Sequence, residues 1–378
     1  MIRTVAAFTS EFMTSLFRGL LRDQALTVEA VRAVPLALKT AHTANLYRLQ
    51  LAYQDRDHCG PMSVIAKLPD QLHVLVDNRR IFQPGSKEEW FYRCIAPVGS
   101  ITVPRCYFGQ TSRETGEAVL LLEDLGQLEP VSQVEGVSEA DIRLAITQIA
   151  RFSAHWWNRT GTREFDELRR IAGDAAVGEE KVKRLFVEAW PLFVKNARFA
   201  IPDSVRELGD RLVETGLPTQ ALTVKSPLTL VHGDFRVDNL LFSDVQGART
   251  CIVLDWEDVA IDCPLRDVAW LIAGCVPALS ATLELALLKH YYDCLRKQAS
   301  GGHAGYAFTD CVSDYRMCMM SQFVQGVLSG TIYHPEEVQD ADVRFATEIG
   351  RRFVEAAYRL ELHTLLARAG RRRHHDHR

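Results

Sequence analysis

The sequence has no long apolar run. Its longest apolar stretch, Val268–Leu279, spans 12 residues and contains Pro277, against the roughly 20 that a bilayer-crossing helix requires. A transmembrane segment and a membrane partner are therefore not expected. Charge of one sign is also lacking: 44 Lys and Arg face 48 Asp and Glu, for a formal charge of -4. That balance has none of the basic excess that binding a phosphate backbone requires, so nucleic acid is not an expected partner. Only 14 Pro and 23 Gly occur in 378 residues, with 47% apolar and 24% charged side chains, which excludes collagen-like and intrinsically disordered chains. The nine cysteines are odd in number and include no C-x-x-C. They read as reduced core thiols of a cytoplasmic protein. Met1–Phe17 carries Glu11 and lacks a basic stretch followed by a clean apolar core, so no secretory leader is expected.

What is present is a chain of 378 residues, longer than one core usually organises, and two lobes are the natural expectation. Leu46–Tyr53 alternates apolar and polar side chains, Ser63–Leu68 is a short β-rich run, and Ala118–Leu122 is a continuous apolar strand. An antiparallel sheet accounts for all three. Between the last two, Ser86–Ile95 predicts one helix packed on that sheet, with Ser86 as its N-cap. From about residue 138 the pattern becomes helical, opening with Ser138-Glu-Ala-Asp141 in the manner of a capping box. Short strands are expected again at Leu228–His232, Asn239–Phe242 and Thr250–Asp255. These readings predict a small lobe over 1–125, a hinge near 123–127, a large lobe over 126–370, and a disordered basic tail over 371–378. The three histidines of that tail have no ordered scaffold that would make them a metal site.

The strands interrupting the helical part carry the chemistry. Leu230-Val-His-Gly-Asp-Phe-Arg-Val-Asp-Asn-Leu-Leu-Phe242 places Asp234 and Asn239 five residues apart, the D-x-x-x-x-N spacing of kinase catalytic loops. At that spacing one carboxylate can meet a substrate hydroxyl while the amide turns back toward a metal. The apolar run Cys251-Ile-Val-Leu254 then ends in Asp255. A carboxylate at the end of a buried strand suits Mg²⁺, which takes hard oxygens and few protein ligands.

The string H-G-D-x-x-x-x-N at 232–239, L-D-W-E at 254–257 and P-x-x-D at 264–267 resembles the aminoglycoside phosphotransferase and choline kinase-like superfamily, with the flavour of its ecdysteroid kinase-like members. Lys67 on an apolar strand, Glu88 before Trp90-Phe91-Tyr92, Leu121-Leu-Glu-Asp-Leu125 and Ala154-His155-Trp156-Trp157 extend the resemblance, in order, from about residue 46 to 274. It implies an α+β, two-lobed protein-kinase-like fold: a small lobe with an antiparallel sheet plus a helix, and a large mostly helical lobe. It further implies a small-molecule kinase that moves the γ-phosphoryl group of ATP to an alcohol, with Asp234 as catalytic base. Asn239 and Asp255 would hold Mg²⁺, and Lys67, paired with Glu88, would hold the α- and β-phosphates. Glu123, Asp124 and Leu125 would form the hinge that receives the adenine, while His232 and Asp267 would support the catalytic loop.

Two departures from the pattern matter. Thr40-Ala-His-Thr-Ala-Asn-Leu46, where relatives carry a glycine-rich loop, contains no glycine; Thr43 and Asn45 could donate to phosphate there from their side chains. This motivates the alternative of a catalytically degenerate nucleotide-binding or scaffolding module. Asp255 and Asp267 are only 12 residues apart, too few for a long activation segment, so the expected partner is a small hydroxylated acceptor and not a protein. Glu257, Asp258 and Asp262 offer carboxylates to a cationic acceptor, whereas Arg368, Arg371, Arg372 and Arg373 would repel one; a neutral or anionic metabolite is favoured. Trp190, Trp270, Tyr291, Tyr292 and Phe323 read as core before pocket lining. The expected assembly is a monomer or homodimer.

Overall fold

The computed structural model describes residues 2–36, 44–69, 84–112, 114–126, 128, 131–173, 175–216, 224–245, 247–298, 305–331 and 340–366. The stretch 40–43 of the glycine-free loop, Gln127 of the hinge, and the tail 371–378 lie outside the described residues. The chain divides into two compact units. One takes residues 1–129, 167–173 and 252–258, and the other takes 130–166, 174–251 and 259–378.

The first unit is built on a five-stranded antiparallel sheet of β1 (Val28–Pro35), β2 (Ala44–Tyr53), β3 (Ser63–Pro69), β4 (Cys106–Thr111) and β5 (Ala118–Glu123), in the order β1-β2-β3-β5-β4. β3 is thus the central strand. Because strand side chains alternate between faces, Val64, Ala66 and Leu68 are buried in one core while Ser63, Ile65 and Lys67 face the other way. On the first face lies α1 (Ser10–Leu21), whose Met13 and Phe17 join Leu49, Leu51, Val119 and Leu121. α1 starts where Thr9 accepts the Phe12 N–H and was not among the sequence expectations, because its apolar positions fall in a segment weighed only as a leader.

α2 (Pro84–Trp90) packs against β4 and β5 and runs on through a π-helical turn, Phe91–Ile95. Ser86 is not its N-cap: the helix begins two residues earlier, and the buried Ser86 hydroxyl donates to the Gly116 carbonyl. Capping patterns specify what an N-terminus can be, and Pro84 at the helix start provides a competing one.

In the second unit α3 (Glu139–Trp156) opens on Ser138, whose hydroxyl accepts the Asp141 N–H, as its sequence predicts. It is followed in the chain by α4 (Arg163–Ala172), α5 (Ala175–Asn196) and α6 (Asp203–Thr215), and it packs on α8 (Ala281–Gln298). Most of the apolar run Val268–Leu279 lies on α7 (Leu265–Cys275), which is buried over almost all of its length between α9 (Phe308–Ser329) and α10 (Asp340–Arg359). A helix apolar on every side is a core helix when short, and no described helix is long and apolar enough to cross a membrane. Two small β elements complete the unit. β6 (Thr229–Val231) pairs antiparallel with β9 (Ala260–Asp262), and β7 (Leu240–Val245) forms a hairpin with β8 (Ala248–Val253). Trp190, Trp270, Tyr291 and Phe323 are all buried in the helical core. No disulfide joins any of the nine cysteines. Five are buried, but Cys59, in the turn after β2, is exposed and does not belong to the core.

Candidate active site

In the first unit Lys67 is the organising residue. Register on the central strand sets it opposite Leu46 on β2 and Leu120 on β5, and its Nζ meets Glu88 Oε2 at 2.7 Å, Asp255 Oδ1 at 2.6 Å and Glu257 Oε2 at 3.8 Å. Burial works against the ammonium charge, but attraction from Glu88, then Asp255 and Glu257, outweighs it and raises the Lys67 pKa above the ordinary lysine value. For Glu88, which is 1% exposed, burial wins: its carboxyl pKa is raised, and Lys67 offsets this only in part. The neighbouring Glu89 turns elsewhere, to Arg93 Nε at 3.1 Å and the Thr111 hydroxyl at 3.3 Å.

Asp255 follows β8 with a backbone φ of +60°. A left-handed conformation is unfavourable for most side chains and is best tolerated by Asp and Asn among those with a Cβ; such strain gathers at functional positions. Trp256 then stacks on Phe91 with ring centroids 3.7 Å apart and planes within 5°. That stack ties the segment carrying Asp255 to the end of the helix carrying Glu88. At the predicted hinge, the side chains of Glu123 and Asp124 are committed to structure: Glu123 Oε2 accepts the Arg105 N–H, while Asp124 accepts from Arg48, the Ser63 hydroxyl and the Gly126 N–H. The Glu123 N–H donates to the Arg105 carbonyl at 2.7 Å.

In the second unit the loop after β6 holds Asp234. Its shape is set by Asp267 in the first turn of α7, which is 1% exposed: Oδ2 accepts the His232 N–H at 2.7 Å and Oδ1 accepts the Gly233 N–H at 2.9 Å. Burial raises the Asp267 pKa, an effect only partly offset by His232 and by these two amides. Gly233 has φ +92°, a conformation that favours glycine. The fully buried His232 accepts the Asp234 N–H on Nδ1 at 3.2 Å.

The Asp234 carboxylate is clamped from two sides. Asn239, at the end of the 3₁₀ turn Val237–Asn239, donates its Nδ2 to the Asp234 carbonyl at 2.9 Å and to Oδ2 at 3.0 Å. Arg236 Nε donates to the same Oδ2 at 2.9 Å, and its Nη1 reaches Asp238 Oδ2 at 3.2 Å. Burial opposes the Arg236 charge, but Asp234 and Asp238 outweigh it and raise its pKa.

Arg236, Asp238 and Glu257 take part in these contacts and had no catalytic role in the sequence reading. For Arg236 the signal was an arginine flanked at two residues on each side by a carboxylate. Of the acidic trio considered for a cationic acceptor, Glu257 lies 3.8 Å from Lys67 and Asp258 3.9 Å from Lys87 in the first unit, and Asp262 pairs with Arg266 in the second.

Residues 60–299 match the model of the phosphotransferase enzyme family. A protein of Ralstonia eutropha JMP134 assigned as an aminoglycoside phosphotransferase has the same fold, with TM-score 0.51 and 16% identity over 93% of this chain and 98% of that one. So does choline kinase from Cryptosporidium parvum Iowa II, with TM-score 0.53 and 11% identity over 93% and 95%. A stretch of 87 residues, 22% of this chain, is 39% identical to mouse acyl-CoA dehydrogenase family member 10 and spans 7% of that protein's length.

Proposed function

Since this chain belongs to the phosphotransferase enzyme family, we propose that it is a small-molecule kinase that transfers the γ-phosphoryl group of ATP to a hydroxyl, with Asp234 receiving the hydroxyl proton. The observation that carries this reading is the clamp on Asp234. One carboxylate oxygen, Oδ2, takes both Arg236 and Asn239, so the carboxylate is held in one orientation, and Oδ1 is the oxygen offered to an acceptor. A base must be aimed before its basicity matters. Asp267 holds the backbone of the same loop through two amides, so the aim does not depend on substrate.

In the first unit, Lys67 would neutralise the α- and β-phosphates, with Glu88 fixing its ammonium from the buried side. The donor chemistry fits Mg²⁺: Asp255 offers carboxylate oxygens and Asn239 its amide oxygen, the amide nitrogen being engaged with Asp234. When bound, Mg²⁺ supplies charge neutralisation for the phosphate oxygens. The acceptor is taken to be a small hydroxylated molecule, as the names of the two kinase-fold relatives suggest.

The test is Mg²⁺-dependent ADP release from ATP against sugars, aminoglycosides, amino alcohols, sterols and hydroxy acids, run beside Asp234→Asn. Stimulation by one class, lost in the variant while nucleotide still binds, is the expected result. Full activity in Asp234→Asn would sink the assignment of the base. Nucleotide binding with no transfer to any class would favour the alternative, a nucleotide-binding module.

A further inference from the structure

A buried arginine far from the catalytic loop connects to Asp234 through an unbroken set of polar contacts. Arg352 on α10 is 3% exposed, and an arginine taken out of water is tolerated only where its donors are matched. Its Nη1 donates to the carbonyls of Gln133 and Gly274, both at 2.7 Å, its Nη2 to the carbonyl of Val134 at 2.7 Å, and its Nε to Glu348 at 2.8 Å. The planar fork thus fastens the segment before α3 to the end of α7.

Gln133 carries the connection onward by its other peptide group, its N–H donating to Asp238 Oδ1 at 2.9 Å. Asp238 is the corner of the relay. One of its oxygens takes the Gln133 N–H, and the other takes Arg236 Nη1 at 3.2 Å. Arg236 then closes on Asp234 through Nε. All of these residues belong to the second unit.

We propose that Arg236 and Arg352 are positioning residues for phosphoryl transfer, the two ends of a relay through Asp238 and Gln133 that sets the orientation of the Asp234 carboxylate. This rests on the proposed role of Asp234. The two arginines differ in what they add. Arg236 acts on Asp234 directly, whereas Arg352 acts only by holding the Gln133 peptide where Asp238 can accept from it. Arginine suits both places because its fork can meet two or three acceptors in one plane, which a lysine ammonium cannot do in the same geometry.

Asp238→Asn cuts the relay at one atom. The amide oxygen can still accept the Gln133 N–H, while the amide nitrogen replaces the acceptor of Arg236, with no cavity formed. The first readout needs no turnover: the ¹³Cγ resonance of Asp234 in the full chain labelled with ¹³C-aspartate, assigned by its disappearance in Asp234→Asn. It is expected to move in Asp238→Asn and, in the same direction, in Arg352→Lys. The second readout is kinetic, with kcat lowered about 10- to 100-fold, the range for losing one charge-assisted hydrogen bond, and KM for ATP unchanged.

An Asp234 resonance that stays in place in Asp238→Asn overturns the proposal. A resonance that moves in Asp238→Asn but not in folded Arg352→Lys removes Arg352 from it. Should Arg352→Lys fail to fold, Asp238→Asn alone decides for Arg236. If the wild-type chain phosphorylates no acceptor, the proposed function fails, yet the resonance still decides whether the relay orients Asp234.

Discussion

Lys67 and Asp255 are 188 residues apart in the chain, yet Lys67 Nζ lies 2.6 Å from Asp255 Oδ1. The same ammonium meets Glu88 in the buried direction, so one cation serves a carboxylate sealed in the core and another more open to solvent.

Replacing that cation tests how much of the first unit rests on it. Lys67→Met leaves Glu88 buried without its partner, and removing one member of a buried pair costs about 3–5 kcal/mol. Urea denaturation should read that loss, and Glu88→Gln should cost less because it removes the buried charge along with the pair. A Lys67→Met protein as stable as wild type would mean that Glu88 simply takes up a proton, the direction in which burial already pushes it.

Asp255→Asn separates backbone from metal binding. Asn adopts the left-handed backbone at φ +60° as readily as Asp, so the variant should fold, with a melting temperature lowered only by the loss of the ion pair with Lys67. Its Mg²⁺-dependent nucleotide binding should weaken by about 10- to 100-fold or more, given that loss of even an outer partner of a metal ligand has an effect of that size. Isothermal titration with an ATP analogue, with and without Mg²⁺, distinguishes the cases. Equal affinity to wild type in Mg²⁺ would remove Asp255 from the metal site.

Asp267 should prove indispensable to the catalytic loop even without touching substrate. Asp267→Asn turns one of its two acceptors into a donor facing a backbone N–H, either His232 or Gly233. Leaving a buried N–H unmatched costs about 1–3 kcal/mol. Hydrogen exchange should speed up at those two amides while α8 keeps its protection. Unaltered exchange at both would show that the carboxylate is not what holds the loop.

The Asp124 cluster predicts an acid-sensitive term in stability. Burial alone would raise the Asp124 pKa, but hydrogen bonds from Ser63, Arg48 and the Gly126 amide, with the Arg48 charge, bring it below the ordinary value. A carboxyl whose folded pKa is depressed contributes stability that is fully present above its unfolded pKa and is lost as pH falls through the folded one. The melting-temperature gap between wild type and Asp124→Asn should therefore be constant near neutrality and close as pH drops below about 4. A gap that persists in strong acid would assign the effect to packing.

Several features were legible before any coordinates. The β-rich run Ser63–Leu68 put Lys67 on a strand, and the D-x-x-x-x-N spacing put Asp234 and Asn239 on one loop. Both are short-range: a strand repeats every two residues and one 3₁₀ turn spans the loop, so neighbours in sequence determine the geometry. The start of α3 at Ser138 was readable for the same reason. The start of α2 was not, because Ser86 and Pro84 both make acceptable beginnings and the buried contact of Ser86 with Gly116 lies across the unit.

By itself the sequence determined the chemistry available to this protein: a carboxylate and an amide at catalytic-loop spacing, a lysine on an apolar strand, and an apolar run from Val268 to Leu279 to bury. Tertiary structure decided which of these groups meet. It selected Glu88 over Glu89 for Lys67, brought Ile252–Asp258 into the first unit through the Trp256–Phe91 stack, and linked Arg352 to the loop of Asp234. The physical reason is that local periodicity specifies the face a side chain occupies, whereas its partner is set by contacts between segments far apart in the chain, which form only when the whole core packs.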